Sequence, residues 1–237
     1  LENLKEEICL ANQQLPSSGL VKLTWGNVSG IDKDKGIFGI KPSGIDYNDL
    51  KPSDIVLVDM EGQKVEGNLN PSSDTKTHLE LYKAWPEIGG ITHTHSLSAT
   101  TLAQTGKELP CFGTTHADHF YGTVPVCRAL NQSELVDDYE KNTGVIIVKH
   151  FLENDIDPIK IPAVLQLHHA PFTWGKSAMK SLENSIALEY CAKMAIDSWC
   201  SGSNPPPIPK HILDKHFLRK HGPDAYYGQK TNDQESL

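Results

Sequence analysis

A short extended stretch, Ile91-Thr92-His93-Thr94-His95-Ser96, constrains this chain more than any other. It follows Gly89-Gly90 and sits among Ile and Thr residues that favour a strand. Alternate side chains of a strand leave opposite faces, so His93 and His95 share a face with Cα atoms roughly 6.5 to 7 Å apart. Two imidazoles so placed can hold one metal ion. Zinc takes ligand nitrogens at about 2.0 to 2.1 Å, and a catalytic zinc usually has three protein ligands and an open position. A third ligand must then come from elsewhere in the chain. The same spacing also describes a solvated strand face or a satisfied packing pair, so the motif needs company.

At 237 residues and 38% hydrophobic content the chain can bury one sizeable core, and no low-complexity run divides it. One domain spanning residues 1–230 is expected, with 231–237 a disordered tail. No window approaches the ~20 apolar residues of a membrane span, and no basic-then-apolar leader opens the sequence. Five cysteines without a C-x-x-C pair, all in apolar or helical contexts, read as buried thiols in a reducing cytoplasm. The formal charge of −8 argues against nucleic acid as a partner, yet leaves room for a small phosphorylated ligand at a local anion site.

Leu4, Ile8, Ala11 and Leu15 form the apolar stripe of a first helix, ended by Pro16-Ser17-Ser18-Gly19. Leu20 to Gly30 reads as a strand running into a Gly-Asn turn. Trp25-Gly26-Asn27 is either a turn with a buried aromatic or a tight loop whose amides approach a ligand. Lys41-Pro42-Ser43-Gly44 offers a cation, a hydroxyl and a glycine amide, and is either an anion contact or a type II turn. Asn70-Pro71-Ser72-Ser73-Asp74 opens a helix over 74–85, with Ser72 or Ser73 as cap and free first-turn amides beside them. Asp74 favours the helix dipole, and His78, one turn later, is expected to hydrogen-bond it rather than serve as a ligand.

A helix over 97–105 should follow the two histidines and end at Gly106. Gly113 to Gly122 is a loop in which His116 and His119 flank Asp118 as ligands, an acid/base set or a solvated cluster. A helix is expected over 133–141, a buried strand at Gly144–Val148, and another strand from Ala163 to His169. A histidine at the mouth of that last strand is where a third ligand can come from. A long helix runs from Ser177 to about Cys200, a stiff Pro-rich linker follows, and a short helix spans 209–221. Tyr226 and Tyr227 at the end of a charged tail suggest docking against another surface, such as a neighbouring subunit.

Taken together, Leu23-Thr24-Trp25-Gly26-Asn27-Val28-Ser29, Ile40-Lys41-Pro42-Ser43-Gly44, Pro71-Ser72-Ser73-Asp74-Thr75, Thr92 to Ser96, Gly113 to Asp118 and Lys215 to Gly222 resemble the class II sugar-phosphate aldolase/epimerase family, and its pentulose-phosphate epimerases in particular. The resemblance runs from the first helix to Gln229. It implies an α/β three-layer fold, a mostly antiparallel central sheet with helices on both faces, assembled as a homotetramer with active sites at subunit interfaces. It makes His93, His95 and His169 the ligands of a zinc ion, for which manganese or cobalt can substitute, with Asp74 beside the metal; His168 is a second candidate for the third position. It places the substrate phosphate at Gly26, Asn27, Lys41, Ser43, Gly44, Ser72 and Ser73, the acid/base pair at Asp118 and Tyr227, and His216 near the site.

The implied reaction interconverts L-ribulose 5-phosphate and D-xylulose 5-phosphate, in arabinose breakdown or another pentose route. C4 of a ketopentose 5-phosphate carries no acidic C–H, so cleaving C3–C4 to an enediolate and glycolaldehyde phosphate, rotating the aldehyde and re-adding it is easier than proton abstraction. Zinc supplies Lewis-acid help, and two proton-transfer groups serve the two faces. A true aldolase of the same family, which releases its aldehyde, is the nearest rival. A non-catalytic domain on this fold is a rival of another class, against which His93 and His95 stand. A metallohydrolase is weaker, because no H-E-x-x-H follows.

Overall fold

A computed structural model describes residues 1–227. The expected disordered tail at 231–237 lies outside the described residues, as do the last residues of the expected domain. In chain order the elements are α1 (Glu2–Ser17), β1 (Gly26–Asp32), β2 (Ile37–Ile40), a single 3-10 turn (Pro52–Asp54), β3 (Val56–Asp59) and β4 (Lys64–Glu66). Then come α2 (Thr75–Ala84), β5 (Gly90–Thr94), α3 (Leu97–Thr105), α4 (Thr114–Ala117), β6 (Val126–Cys127) and α5 (Gln132–Glu153). The chain continues through β7 (Ala163–Gln166), β8 (Pro171–Gly175), α6 (Ala178–Cys200) and α7 (Lys210–His221).

The strands form one eight-stranded sheet in the order β4-β3-β2-β1-β5-β8-β7-β6. Every pairing is antiparallel except β6 with β7. Alternation along the strands divides the core between the two faces. Val56, Val58, Ile91, Val164, Phe172 and Trp174 turn to the side packed by α2 and α5, whose Leu81, Tyr82, Ile147 and Phe151 fill it. Val28 and Leu57 turn to the side packed by α1 and the start of α6, while Ala163 and Leu165 meet α3 and the middle of α6. Helices therefore cover both faces of a mostly antiparallel sheet, as expected. Gly89 and Gly90 let β5 pass beneath the start of α6, where a Cβ on either would lie 2.0 to 2.4 Å from the backbone of Lys176 or Ser177.

Several expectations do not hold. Leu20–Trp25 is a loop and not a strand, with Leu23 in the left-handed region at φ 51°; β1 begins at Gly26, where a turn was expected. Trp25 is not a buried aromatic but 55% exposed at the cleft described below. Gly144–Val148 is not a strand: it is the middle of α5, which buries Thr143, Ile146, Ile147 and Phe151 at helical spacing. A short apolar run fits either element, and here Gly144 lets α5 sit close to α2, because a Cβ there would be 2.9 Å from the Thr77 carbonyl oxygen. The strand expected to reach His169 stops at Gln166, and β8 follows after a tight turn with His168 at φ 63°. The sequence reading also missed β6.

Neither Ser72 nor Ser73 caps α2. Its N-cap is Asp74, without a side-chain cap bond. His78 does not bond the Asp74 carboxylate; fully buried, its Nδ1 is 2.7 Å from Ser29 Oγ, which is 2.8 Å from Tyr82 Oη. Four cysteines are buried, but Cys200 is exposed. Among the described residues no helix is long and apolar enough to cross a membrane.

Candidate metal centre and anion cleft

Three elements bring three imidazoles together. His93 lies on β5 between Asn27 of β1 and Phe172 of β8, and its ring stacks on Phe172 at 4.1 Å between centroids. His95 stands one residue beyond the end of β5. His169 sits in the turn between β7 and β8. Their ring centroids form a nearly regular triangle of 5.1, 4.9 and 5.1 Å, and their candidate donor atoms all lie within 4.8 Å of one another. His168 is exposed and outside this group.

The donor chemistry fits a divalent cation. His93 Nδ1 donates to the Pro171 carbonyl oxygen at 3.0 Å, and His169 Nδ1 donates to Gln166 Oε1 at 2.8 Å. Such bonds fix the tautomer and leave Nε2 free with its lone pair. Burial pushes the His93 and His169 imidazoles down to about 3, helped by the neighbouring histidines, and burial also lowers His95. All three are thus neutral at pH 7, the form that binds a metal. Asp74 lines the same cleft but is not one of the converging donors; its Oδ2 accepts from Asn27 Nδ2 at 2.6 Å.

The histidines form one wall of a cleft of about 490 Å³. Gly26, Asn27, Lys41, Ser43, Gly44, Ser72 and Ser73 all line it, so three segments far apart in sequence meet at one place. Two backbone bonds clamp the second and third segments together, Ser43 N to Asn70 O at 3.0 Å and Ser72 N to Lys41 O at 3.1 Å. Gly26 has φ 149° and no room for a side chain, since a Cβ would lie 2.9 Å from the His93 carbonyl oxygen. Lys41 is only 2% exposed, with Nζ 3.2 Å from the Pro42 carbonyl oxygen and 4.9 Å from the Tyr47 ring centre. Burial brings its pKa down to about 8. Asn27 Oδ1 is buried without a hydrogen-bond partner among the described residues.

A model of the class II aldolase and adducin N-terminal domain matches residues 6–196, from the first helix through most of α6. The chain belongs to the class II aldolase and adducin N-terminal domain family. Among class II aldolase relatives, L-ribulose-5-phosphate 4-epimerase UlaF of Salmonella paratyphi C is 48% identical over 233 residues, covering 97% of this chain and all of that protein. The UlaF protein of Salmonella typhi is 47% identical over the same shares. A solved L-fuculose 1-phosphate aldolase superposes with a TM-score of 0.75 at 27% identity, covering 90% of this chain and 94% of its own.

Beside its class II aldolase cleft the chain carries residues that the sequence did not disclose. Tyr139 and Glu140 line the cleft too. They follow a break in α5 at Asp138, whose backbone leaves the helical region (φ −158°, ψ 91°) and re-aims the next residues. Only two adjacent polar residues within an expected helix hinted at them. Burial, then the charges of Asp74 and Glu140, raise the Tyr139 phenol. Gln166, the partner of His169, was also missed; its signal is a polar residue three before that histidine.

Asp118, His216 and Tyr227 come together with one another but not with the histidine trio, and none lines the cleft among the described residues. Asp118 ends α4 and accepts from His216 Nδ1 at 3.0 Å and Arg219 Nη2 at 2.8 Å. The Tyr227 ring centre lies 4.7 Å from the Arg219 guanidinium carbon and 4.5 Å from Lys220 Nζ. Burial works to raise the Asp118 carboxyl, but the bonds from Arg219 and His216 outweigh it and hold the group below the usual carboxylate range.

Proposed function

We propose that the chain is an epimerase that interconverts L-ribulose 5-phosphate and D-xylulose 5-phosphate. The observation that carries this reading is the meeting of three neutral histidines and the Gly26–Asn27, Lys41–Gly44 and Ser72–Ser73 segments in one cleft, in a chain 48% identical to a protein named for that activity. His93, His95 and His169 hold the divalent metal, zinc by preference with manganese or cobalt able to replace it, and Asp74 faces them. When bound, that cation supplies Lewis-acid stabilisation of the enediolate charge, worth several kcal/mol.

This chain's own residues do the rest. Lys41 and the amides and hydroxyls of Gly26, Asn27, Ser43, Gly44, Ser72 and Ser73 grip the 5-phosphate, which anchors the substrate at the end that stays attached to C4. A base removes the proton from the C4 hydroxyl, its electrons form the aldehyde, and the C3–C4 pair passes into the enediolate. The held aldehyde turns, C3 attacks its other face, and a second group returns a proton to the C4 oxygen. Asp118 and Tyr227 are the two proton-transfer residues, with His216 beside them. The bonds from Arg219 and His216 keep Asp118 ionised, the form that can accept a proton.

Because Asp118 and Tyr227 stand apart from the cleft of their own chain, the working unit in this proposal is a homotetramer in which they serve a neighbour's cleft. We further read residues 1–230 as one catalytic domain acting in the cytoplasm, in arabinose breakdown or another pentose route. The test is a coupled assay with L-ribulose 5-phosphate, following D-xylulose 5-phosphate with and without a chelator. Turnover that stops on chelation and returns with zinc supports the proposal, and chelator-resistant turnover would end it. The likeness to an L-fuculose 1-phosphate aldolase favours a second reading, net cleavage. Accumulation of free glycolaldehyde phosphate in the same assay would select it.

A further inference from the structure

The three histidines are not held alike. His93 and His169 each have a ring hydrogen bond that fixes their orientation, to Pro171 O and Gln166 Oε1. The ring of His95 has no such bond among the described residues and is the most open of the three, so its aim depends on the backbone around it. On one side that backbone is tied by the register of Thr94 against Gly26 of β1. On the other side, Ser96 and Leu97 turn at once into α3.

The start of α3 is held in an unusual way. Ser96 occupies the N-cap position but makes no side-chain cap bond, and its Oγ is buried without a partner among the described residues. Glu189, from the middle of α6, supplies the cap instead. Its Oε1 accepts from Ser98 N at 2.8 Å, and its Oε2 accepts from Ala99 N at 2.9 Å. A carboxylate with two free helix amides on it, at the positive end of the helix, is a strong anchor.

We propose that Glu189 is a positioning residue for the metal centre: by clamping the first turn of α3 it sets the backbone that aims His95. The inference rests on the reading of the three histidines as metal ligands. It assigns to a carboxylate outside the cleft, on another helix, the task that Pro171 and Gln166 perform directly for the other two ligands. Losing an outer partner of a ligand typically costs roughly 10- to 100-fold in metal affinity, and that is the loss expected for Glu189→Ala.

The experiment measures zinc affinity by competition with a chromophoric chelator and records the visible spectrum of the cobalt-loaded protein. The chains compared are wild type, Glu189→Ala, Glu189→Gln, His95→Asn and Ser177→Ala. The last removes a helix cap of α6, where Ser177 Oγ accepts from Lys180 N, and serves as a control for lost stability alone. Weaker zinc binding and an altered cobalt spectrum in Glu189→Ala, partial recovery in Glu189→Gln, which keeps one of the two acceptor oxygens, and wild-type behaviour in Ser177→Ala support the proposal. Unchanged affinity and spectrum in Glu189→Ala, or an equal loss in Ser177→Ala, would overturn it. Should Glu189→Ala fail to fold, Glu189→Asp, one methylene shorter, carries the same comparison. A wild-type chain that takes up no metal, or a His95→Asn chain that keeps it at full affinity, would overturn both this inference and the metal-centre reading beneath it.

Discussion

Arg219 grips the carboxylate of Asp118 with its Nη2 at 2.8 Å from Oδ2 and 3.0 Å from Oδ1, and the same guanidinium lies under the ring of Tyr227. The backbone amides of Tyr226 and Tyr227 also donate to the Arg219 carbonyl oxygen, at 3.0 and 3.1 Å. One residue therefore braces both groups assigned to proton transfer. Arg219→Ala and Asp118→Asn should not be additive in stability, with a coupling on the order of 1 kcal/mol in a double-mutant cycle. The pH dependence has a fixed sign. The folded Asp118 carboxyl sits below its unfolded value of about 3.9, so the unfolded chain binds more protons in between and stability rises with pH there. The stability gap between wild type and Asp118→Asn should stay constant above about pH 4 and close as acid titrates the carboxylate, as urea unfolding at stepped pH would show.

Asp118 and the histidines sit on different parts of one chain, which makes the proposed oligomer testable by activity. His95→Asn and Asp118→Asn homo-oligomers should each be inactive. Mixing them under conditions that exchange subunits should restore part of the turnover, because some clefts then combine an intact trio with an intact Asp118. No recovery from demonstrably mixed oligomers would place both groups in the service of the same chain.

Lys41 carries a burial cost that the proposed phosphate contact would offset. Its pKa of about 8 lies below that of an unfolded lysine, near 10.4, so the unfolded chain binds more protons between the two and stability should rise with pH across that window. Phosphate binding should move the other way. As the free protein loses the Lys41 proton above about pH 8, KM for the phosphorylated substrate should climb. Lys41→Met should raise KM by roughly 10- to 100-fold, in line with the ~1.5–3 kcal/mol of a charged hydrogen bond, while leaving thermal stability at pH 7 equal or higher. A less stable Lys41→Met protein would show that the buried ammonium is structurally required.

Gln166→Leu tests how His169 is held. With Oε1 gone, the His169 ring loses its 2.8 Å acceptor and its fixed tautomer. Zinc affinity should fall roughly 10- to 100-fold while binding of inorganic phosphate is unchanged. Competitive chelation and phosphate calorimetry on the same preparation separate the two.

Gly144→Ala should destabilise the protein by about 1–3 kcal/mol, because the new Cβ would lie 2.7 Å from Glu80 Cβ and 2.9 Å from Thr77 O. Helix propensity alone predicts the opposite sign by about 1 kcal/mol, so a denaturant midpoint decides between local preference and helix packing.

What the sequence determined by itself was local. The stripe of α1, the period-two placement of His93 and His95, the stop of α3 at Gly106, the start of α6 at Ser177, and the anion-friendly Lys41–Gly44 and Ser72–Ser73 segments all follow from neighbouring residues, because helix and strand periods are properties of short windows. Chain contiguity could not tell whether Gly144–Val148 was a strand or a buried helix, since five apolar residues satisfy either until α2 is packed against them. The choice of His169 over His168 came from the family resemblance and not from the neighbouring residues; the tight turn at Gln166–Ala170 places His169 with the trio and leaves His168, at φ 63°, outside it. Tyr139 and Glu140 reach the cleft only because the backbone breaks at Asp138, and Glu189 meets α3 across more than ninety residues. These are long-range contacts, set by how the sheet and its two helical layers close on one another, and no window of sequence contains both partners.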